Sequence, residues 1–299
     1  MNRTKKWMIA AFALMGAGVL ICVISFILLG RNFSKLSTVG YVTRTHEPEG
    51  SFENISIDAD TEKIKLVPSD NEGCRVVCYE EEKNPFDVRV DGDTLRIDRK
   101  NEKPQLHFGI VLDSPSITVY LPKEKYGELD VDADTGSVSV PGDFSFDSID
   151  IELDTGDVQL RAGATGDIQV RTDTGDIDIE DITAATLSVG TGTGRARLKA
   201  VRCGKLISKG DTGDLTLEDV LADELFDLQR DTGDIKLTEC DAGDIYIRTD
   251  TGSVTGTILT EKVFWTQTDT GRVNVPESGT GGKCEITTDT GSIRIEMAR

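Results

Sequence analysis

From residue 127 onward, apolar and polar residues alternate in short runs that keep fixed offsets from a recurring glycine. Two residues after the glycine come Val138, Val158, Ile177, Ala196, Leu215, Ile235, Val254, Val273 and Ile293. Four residues after it come Val140, Leu160, Ile179, Leu198, Leu217, Leu237, Gly256, Val275 and Ile295. A second alternating pair precedes each glycine, from Leu129/Val131 and Ile149/Ile151 through to Cys284/Ile286. Alternation with period two marks strands that bury one face. Each unit therefore holds two short strands and two turns, and nothing between them has the length or period of a helix.

The glycines are Gly136, Gly156, Gly175, Gly194, Gly213, Gly233, Gly252, Gly271 and Gly291, each 19 or 20 residues from the next. Eight close an Asp-Thr-Gly triplet, and Gly192-Thr193-Gly194 fills the remaining place. A fixed period of this size means stacked supersecondary units. With apolar columns inward, the stack is an all-β, single-stranded parallel β-solenoid. Its nine regular coils, at ~4.8 Å each, make a rod about 43 Å long. The pattern leaves open whether the cross-section has two sides or three.

The triplet has a structural reading of its own. Asp accepts local backbone N–H groups as an Asx-turn, Thr can bond to the Thr of the next coil, and Gly permits positive φ. On this reading the nine glycines are turn residues.

The segment 51–126 is less regular but related. Asp58-Ala-Asp-Thr61 matches Asp132-Ala-Asp-Thr135 within longer alternating stretches, with Glu62 in the glycine's place, so that corner needs another geometry. Val88–Val90 and Leu95–Ile97 flank Asp91-Gly92, a hairpin signal. The expectation is an N-terminal β region of imperfect coils capping a regular solenoid over 127–299, with a separate small sandwich as the alternative. At the other end Ile293, Ile295 and Met297 form the last coil. It has no matching cap, and Arg294, Glu296 and Arg299 stand as charged gatekeepers on an edge open to self-association.

Ahead of the β region, Trp7 to Gly30 carries no charge and is long enough to cross a ~30 Å hydrocarbon core as a helix. No convincing cleavage site follows it, which favours an uncleaved signal anchor. Arg3, Lys5 and Lys6 on one flank against Arg31 and Lys35 on the other favour a cytoplasmic N-terminus. The organisation expected is a tail over 1–6, a transmembrane helix over 7–30, a patternless stalk over 31–50 and an extracellular body.

Charge narrows the partners. The chain carries 33 Lys plus Arg against 53 Asp plus Glu, a net −20. The first forty residues hold five of the bases and no acid, leaving 28 against 53, or −25, on the body. Such a body repels nucleic acid and anionic lipid, and attracts divalent cations or basic partners. Of six cysteines, Cys22 lies in the apolar run. Cys74 and Cys78 are about 13 Å apart in an extended strand, too far for a disulfide. Cys203, Cys240 and Cys284 sit at unlike offsets in the repeat, so the cysteines read as small buried apolar residues. The two histidines, His46 and His107, sit in no zinc-ligand spacing.

Three catalytic or binding readings compete with the structural one. Asp-Thr-Gly is the aspartic-protease triplet, but that chemistry needs two facing aspartates sharing a proton, not a column of copies. The aspartates Asp154, Asp157, Asp173, Asp176, Asp211, Asp214, Asp231 and Asp234 resemble the turns of calcium-binding β-rolls. The position after the glycine is Ser or Arg in other coils, which interrupts the column and leaves weak divalent-ion binding at most. A polysaccharide-cleaving groove needs clustered bases or aromatics, whereas the outward positions Gln159, Asp178, Arg197, Thr216, Lys236, Thr255, Asn274 and Arg294 are mixed. Trp265 with Phe264 reads as one surface and one core residue. Asn54-Ile55-Ser56 matches a glycosylation acceptor.

The Asp-Thr-Gly-Asp-Ile and Asp-Thr-Gly-Ser-Val strings, alternating with apolar strands behind one anchor, resemble a bacterial family of β-strand-repeat envelope proteins catalogued as putative adhesins. The resemblance covers about 50–299 and implies the architecture, not functional residues. The function expected is a non-enzymatic, cofactor-free module tethered by a single pass at the cell surface. It would serve as a scaffold, a binding module for a protein or cell-wall polymer, or an envelope-stress accessory. The alternatives are an enzyme acting on envelope polysaccharide, a weak calcium-binding surface module, and a cytoplasmic sensor.

Overall fold

A computed structural model describes residues 3–28, 40–71, 73–99 and 114–298. Arg31, Lys35, His107 and Arg299 lie outside the described residues, as does much of the predicted stalk. The chain is one N-terminal helix followed by an all-β solenoid.

The helix covers Arg3–Leu28, so it takes in the bases assigned to the tail, and Leu29 and Gly30 lie outside the described residues. Its described large apolar residues, including Trp7, Phe12, Leu14, Met15 and Ile21, are exposed. Among the described residues no helix is long and apolar enough to cross a membrane, and the spanning expectation therefore returns below as a proposal.

Each coil of the solenoid has three sides. The first is the strand before the glycine and the second the strand after it. Ile149, Ile151 and Leu153 register on Leu129, Val131 and Ala133 on one side and on Ile168, Val170 and Thr172 on the other, all parallel. Val158 and Leu160 likewise stack between Val138/Val140 and Ile177/Ile179. The third side follows a corner at Asp181, Ala200, Asp219 and Glu239, whose φ values of 58°, 51°, 53° and 55° are left-handed. There Cys203 registers on Ala222, and Ala222 on Ala242, forming a short ladder of small buried residues. The inward residues of all three sides make one core in which Ile, Leu and Val dominate. Each such side chain contributes about 1.5–3 kcal/mol when fully buried, which is how strands this short hold together without helices.

The coils are not stacked in chain order at either end. Asn54–Ala59 and Lys63–Ser69 form the first coil in sequence, but it lies second in space. One side of it pairs with the regular repeat at Glu128–Thr135 and Ser137–Val140, the other with Thr94–Arg99 and Ser116–Pro122. At the far end, Gly282–Thr290 pairs on one side with the strand ending at Thr251 and on the other with Lys262–Thr270. Ile293–Met297 is held in the same way between Val254–Ile258 and Val273–Asn274. The final coil in sequence is thus interior, and Ile293 and Ile295 are buried. This corrects the expectation that the last coil and its charged residues form the edge. The outermost coil is Lys262–Asn274, and its Val273, in line with a buried column, is 44 % exposed because no coil lies beyond it.

The N-terminal β region is continuous with the rod, and its strands share the solenoid's hydrogen bonds instead of forming a sandwich. It adds antiparallel strands to the parallel stack. Phe86–Asp91 pairs with Thr94–Arg99 across the predicted turn, where Gly92 has φ 65°. Arg75–Glu81 pairs with Ser116–Pro122, and Tyr41–His46 pairs with Arg75–Glu81. Tyr41–His46 falls inside the span predicted as stalk. It is a strand because the edge of Arg75–Glu81 accepts it, although its own sequence carries no sustained alternation.

Candidate functional site

The repeated corner is the feature with the most chemistry-bearing residues, and its geometry is set by the glycine column. Except at Gly271 in the outermost coil, each glycine N–H donates to the threonine carbonyl of the next coil, as in Gly156 to Thr174 at 2.8 Å and Gly213 to Thr232 at 2.8 Å. A Cβ built on Gly156 would lie 1.5 Å from the Gly136 carbonyl oxygen, and one on Gly213 would lie 2.0 Å from that of Gly194. The same holds at Gly175, Gly194, Gly233, Gly252, Gly271 and Gly291, always against the coil nearer the N-terminal end of the rod. Close approach of backbone, as much as a φ of 132° at Gly213, is what excludes a side chain.

Glu62 occupies the glycine position in the one coil with no described corner on that side. Its carboxylate turns back into its own corner, where the Asp60 and Thr61 N–H groups donate to it at 3.0 and 2.9 Å. It also pairs with Arg99. Burial raises its pKa, and Arg99 opposes that shift.

The aspartates of the column divide into two sets. Those following the glycine act as acceptors between coils. Asp157 accepts the Asp176 N–H at 2.9 Å, Asp176 accepts the Arg195 N–H at 2.8 Å, Asp214 accepts the Asp234 N–H at 2.9 Å, and Asp234 accepts the Ser253 N–H at 2.7 Å. Arg195 adds a side-chain bond to Asp176 at 2.7 Å, and these bonds lower the Asp176 pKa. The triplet aspartates Asp154, Asp173, Asp211 and Asp231 point into solvent. The Asx-type bond expected of the triplet is therefore made three residues later, and across coils. Among the described residues no three His, Cys, Asp or Glu side chains come together as a metal-binding group.

Threonine serves inside the corner instead of in a hydroxyl ladder. Thr172, Thr249 and Thr288 are buried, and each donates its hydroxyl to a glycine carbonyl of the preceding coil, at 3.0, 3.2 and 2.9 Å. Arg230 stands in this same inward column and is 2 % exposed. It fits because Gly210, its neighbour in the next coil, has no side chain. Its guanidinium donates to the Gln229 carbonyl at 2.7 Å and to Ser208 Oγ at 3.0 Å, while burial pulls its pKa down to about 10. The signal for it was the Gly210–Arg230 pairing of a missing and an oversized side chain.

The described cysteines of the body, Cys74, Cys78, Cys203, Cys240 and Cys284, are free thiols. Burial pushes the Cys78 and Cys284 pKa values up to about 12 and those of Cys203 and Cys240 up to about 11, so they are unreactive packing residues.

Along the first side the outward residues change character from end to end. Near the N-terminal end Asp98, Asp58, Asp132 and Glu152 occupy one register row, beside Asp130. Burial first, and neighbouring carboxylates next, raise the pKa values of Asp58 and Asp130. Near the C-terminal end the equivalent rows hold Tyr246, Glu285 and Trp265. Lys283 Nζ lies 4.9 Å from the Tyr246 ring centroid and 5.4 Å from that of Trp265, and 2.7 Å from Glu285. Trp265 is 52 % exposed, and Phe264, its inward neighbour, packs on the core.

The chain belongs to the Toastrack DUF4097 family, which matches it over residues 52–217 and 162–299. Similar solved structures include a putative adhesin from Bacteroides fragilis, 18% identical over 87% of this chain and 99% of that one, with TM-score 0.43. A putative lipid binding protein from Parabacteroides distasonis is 15% identical over 86% and 97%, also with TM-score 0.43. A putative adhesin from Parabacteroides merdae is 13% identical over 88% and 98%, with TM-score 0.41. No curated protein matches the chain.

Proposed function

We propose that the protein is a non-enzymatic β-solenoid held at the cell surface by a single membrane-spanning helix, where it serves as a scaffold or as a binding module for a protein or cell-wall polymer. One observation carries this reading. The helix Arg3–Leu28 has no charge after Lys6, and its described apolar side chains are exposed. The 22 uncharged residues from Trp7 to Leu28 would extend about 33 Å as a helix. A helix apolar all round has no stable place in water and needs lipid or protein around it. The flanking bases support a cytoplasmic N-terminus with the −25 body outside.

Supporting the binding role, the aspartates that follow the corner glycines are committed to coil-to-coil hydrogen bonds, and the outward strand faces offer the broader contact surface. The test is an alkaline carbonate wash of native membranes, followed by protease shaving of intact cells. The full chain should stay in the membrane pellet, and its body should be digested from outside. Release into the wash would overturn the tether, and a protected body would place the solenoid in the cytoplasm.

A further inference from the structure

The two ends of the rod treat their exposed strand edges differently. At the N-terminal end the outermost strands are Tyr41–His46 and Phe86–Asp91, which carry Arg44, Asp87, Arg89 and Asp91. Charged residues on an edge strand discourage a further strand from adding. At the C-terminal end the outermost long strand is Lys262–Thr270, paired with Gly282–Thr290 on its inner side. From Val263 to Thr268 it has no charge and no proline, in a chain that is 29% charged. Val, Phe, Trp and Thr make it a strong strand former. Lys262 is turned inward to Asp241 at 2.7 Å and is 4% exposed, so it does not guard the edge. The inward residues Phe264 and Thr266 remain partly exposed, although their equivalents Cys284 and Ile286, one coil inward, are buried.

From these observations we infer that the outer edge of Lys262–Thr270 binds a second copy of this chain, strand against strand, about a two-fold axis. The proposal does not rest on the membrane tether.

The register follows from the backbone. The direction comes from the equivalent strand Ser148–Thr155, where the Ile149 N–H donates to the Asp167 carbonyl of the next coil at 3.1 Å while the Thr155 carbonyl accepts the Gly136 N–H of the preceding coil at 2.9 Å. A residue's N–H and C=O point the same way and alternate along a strand, and the pairing skips the triplet aspartate, at Asp154 as at Asp269. Phe264, Thr266 and Thr268, which stand in the columns of Ile149, Ile151 and Leu153, therefore present theirs outward, and Thr270 faces inward. Antiparallel pairing centred on Thr266 uses the whole strand and sets each Trp265 opposite the partner's Gln267, and each Val263 opposite the partner's Asp269. No like charges meet, and each Phe264 gains the partner's Thr268 as cover.

A two-fold contact of this kind is isologous and closes at the dimer, because the opposite ends are guarded. The acidic bodies extend away from the contact. Their mutual repulsion is screened beyond about 8 Å at physiological salt, a short distance against a rod of roughly 45 Å.

The experiment is sedimentation equilibrium of the full chain in density-matched detergent, for the native sequence and three variants. Thr266→Pro removes an outward N–H without removing a donor of the inner ladder, and Trp265→Lys puts a guarding charge on the edge. Asp87→Ala at the N-terminal edge is the control. Dimer in the native chain and the control, with monomer in both edge variants at unchanged far-ultraviolet dichroism, supports the proposal. A monomeric native chain, or a dimer that survives both edge changes, overturns it. The second result would place association in the helix or elsewhere. Misfolding of Thr266→Pro leaves Trp265→Lys to decide.

Discussion

The two ends of the solenoid are built by the same device and finished in opposite ways. At each end the chain lays its outermost coil out of order, so that the coil nearest the terminus in sequence is gripped on both sides. That arrangement protects against fraying, because a terminal strand with two neighbours cannot peel off alone.

The N-terminal end is then plugged by charge. Glu62 pairs with Arg99, and Glu80, fully buried, accepts from Arg44 at 2.7 Å and from the Phe86 N–H at 2.6 Å. The C-terminal end has one buried pair, Lys262–Asp241, and a bare edge. The difference traces to the polarity of the coil. A Cβ at Gly271, as at the other corner glycines, meets the carbonyl of the coil nearer the N-terminal end, whereas Glu62, whose φ is not left-handed, turns its carboxylate back onto the Asp60 and Thr61 N–H groups.

Substitutions at the two ends test this. The largest effect is expected from Gly271→Ala, whose Cβ would sit 1.9 Å from the Gly291 carbonyl oxygen although the position is exposed. A loss of about 3 kcal/mol or more is expected, at the upper range of overpacking, read by urea unfolding. A loss below about 1 kcal/mol, within the range of ordinary surface changes, would show that the end coil shifts freely and that the column is not one-sided.

Glu80→Ala comes next. It strips the buried partner from Arg44 and the acceptor from the Phe86 N–H, at about 3–5 kcal/mol for a broken buried pair. Lys262→Ala at the other end should cost less, since Asp241 there keeps the Ala242 N–H at 2.9 Å, whereas Glu80→Ala also leaves the buried Phe86 N–H without its acceptor. Equal losses at the two ends would remove the distinction between a plugged and an open end.

A smaller change of opposite sign is expected midway along the rod. Ala200 holds φ 51° at the second corner, where an L-residue is strained. Ala200→Gly should stabilise by about 1 kcal/mol, raising Tm in calorimetry, and a fall in Tm would show that the corner relaxes without glycine.

The smallest effect concerns the acidic rows near the N-terminal end. Asp58 and Asp130 have pKa values raised by burial and by Asp132 among their neighbours. A carboxyl whose folded pKa lies above its unfolded value destabilises the ionised fold. That penalty is full above the folded pKa and is relieved as pH falls through it toward the ordinary ~3.9. Asp176 has a lowered pKa and works the other way. The separating experiment is therefore Asp132→Asn, which should raise Tm at pH 7 by about 1–2 °C and shrink the gain seen on mild acidification. No change in either would assign the acidic rows no electrostatic cost.

Much of the fold was legible because a solenoid repeats its own evidence. The alternation around Gly156, read once, is read again around Gly175 and Gly213, and one buried column confirms the next. The corner chemistry was half legible. The glycine requirement was visible, but the bonding aspartate proved to be Asp157 or Asp214 and not Asp154 or Asp211, since propensity names a turn residue without saying which coil its oxygen reaches. The third side was hidden because its inward residues, Cys203, Ala222 and Ala242, are small and few. Its corner at Asp181, Ala200, Asp219 and Glu239 recurs six residues after the glycine, but with side chains too varied to announce a left-handed φ.

By itself the sequence determined what is local and periodic: an uncharged N-terminal segment, strands of period two, a glycine at one corner of every regular coil and a strongly acidic body. Tertiary structure decided everything that depends on which strand lies beside which. It placed the final coil inside and Lys262–Asn274 outside, recruited Tyr41–His46 from a patternless stretch, and gave Arg230 a place in the core beside Gly210. Neighbouring coils share one hydrophobic pattern, so the pattern fixes that coils stack but not in what order. The order is settled by end contacts that occur once and leave no period to read.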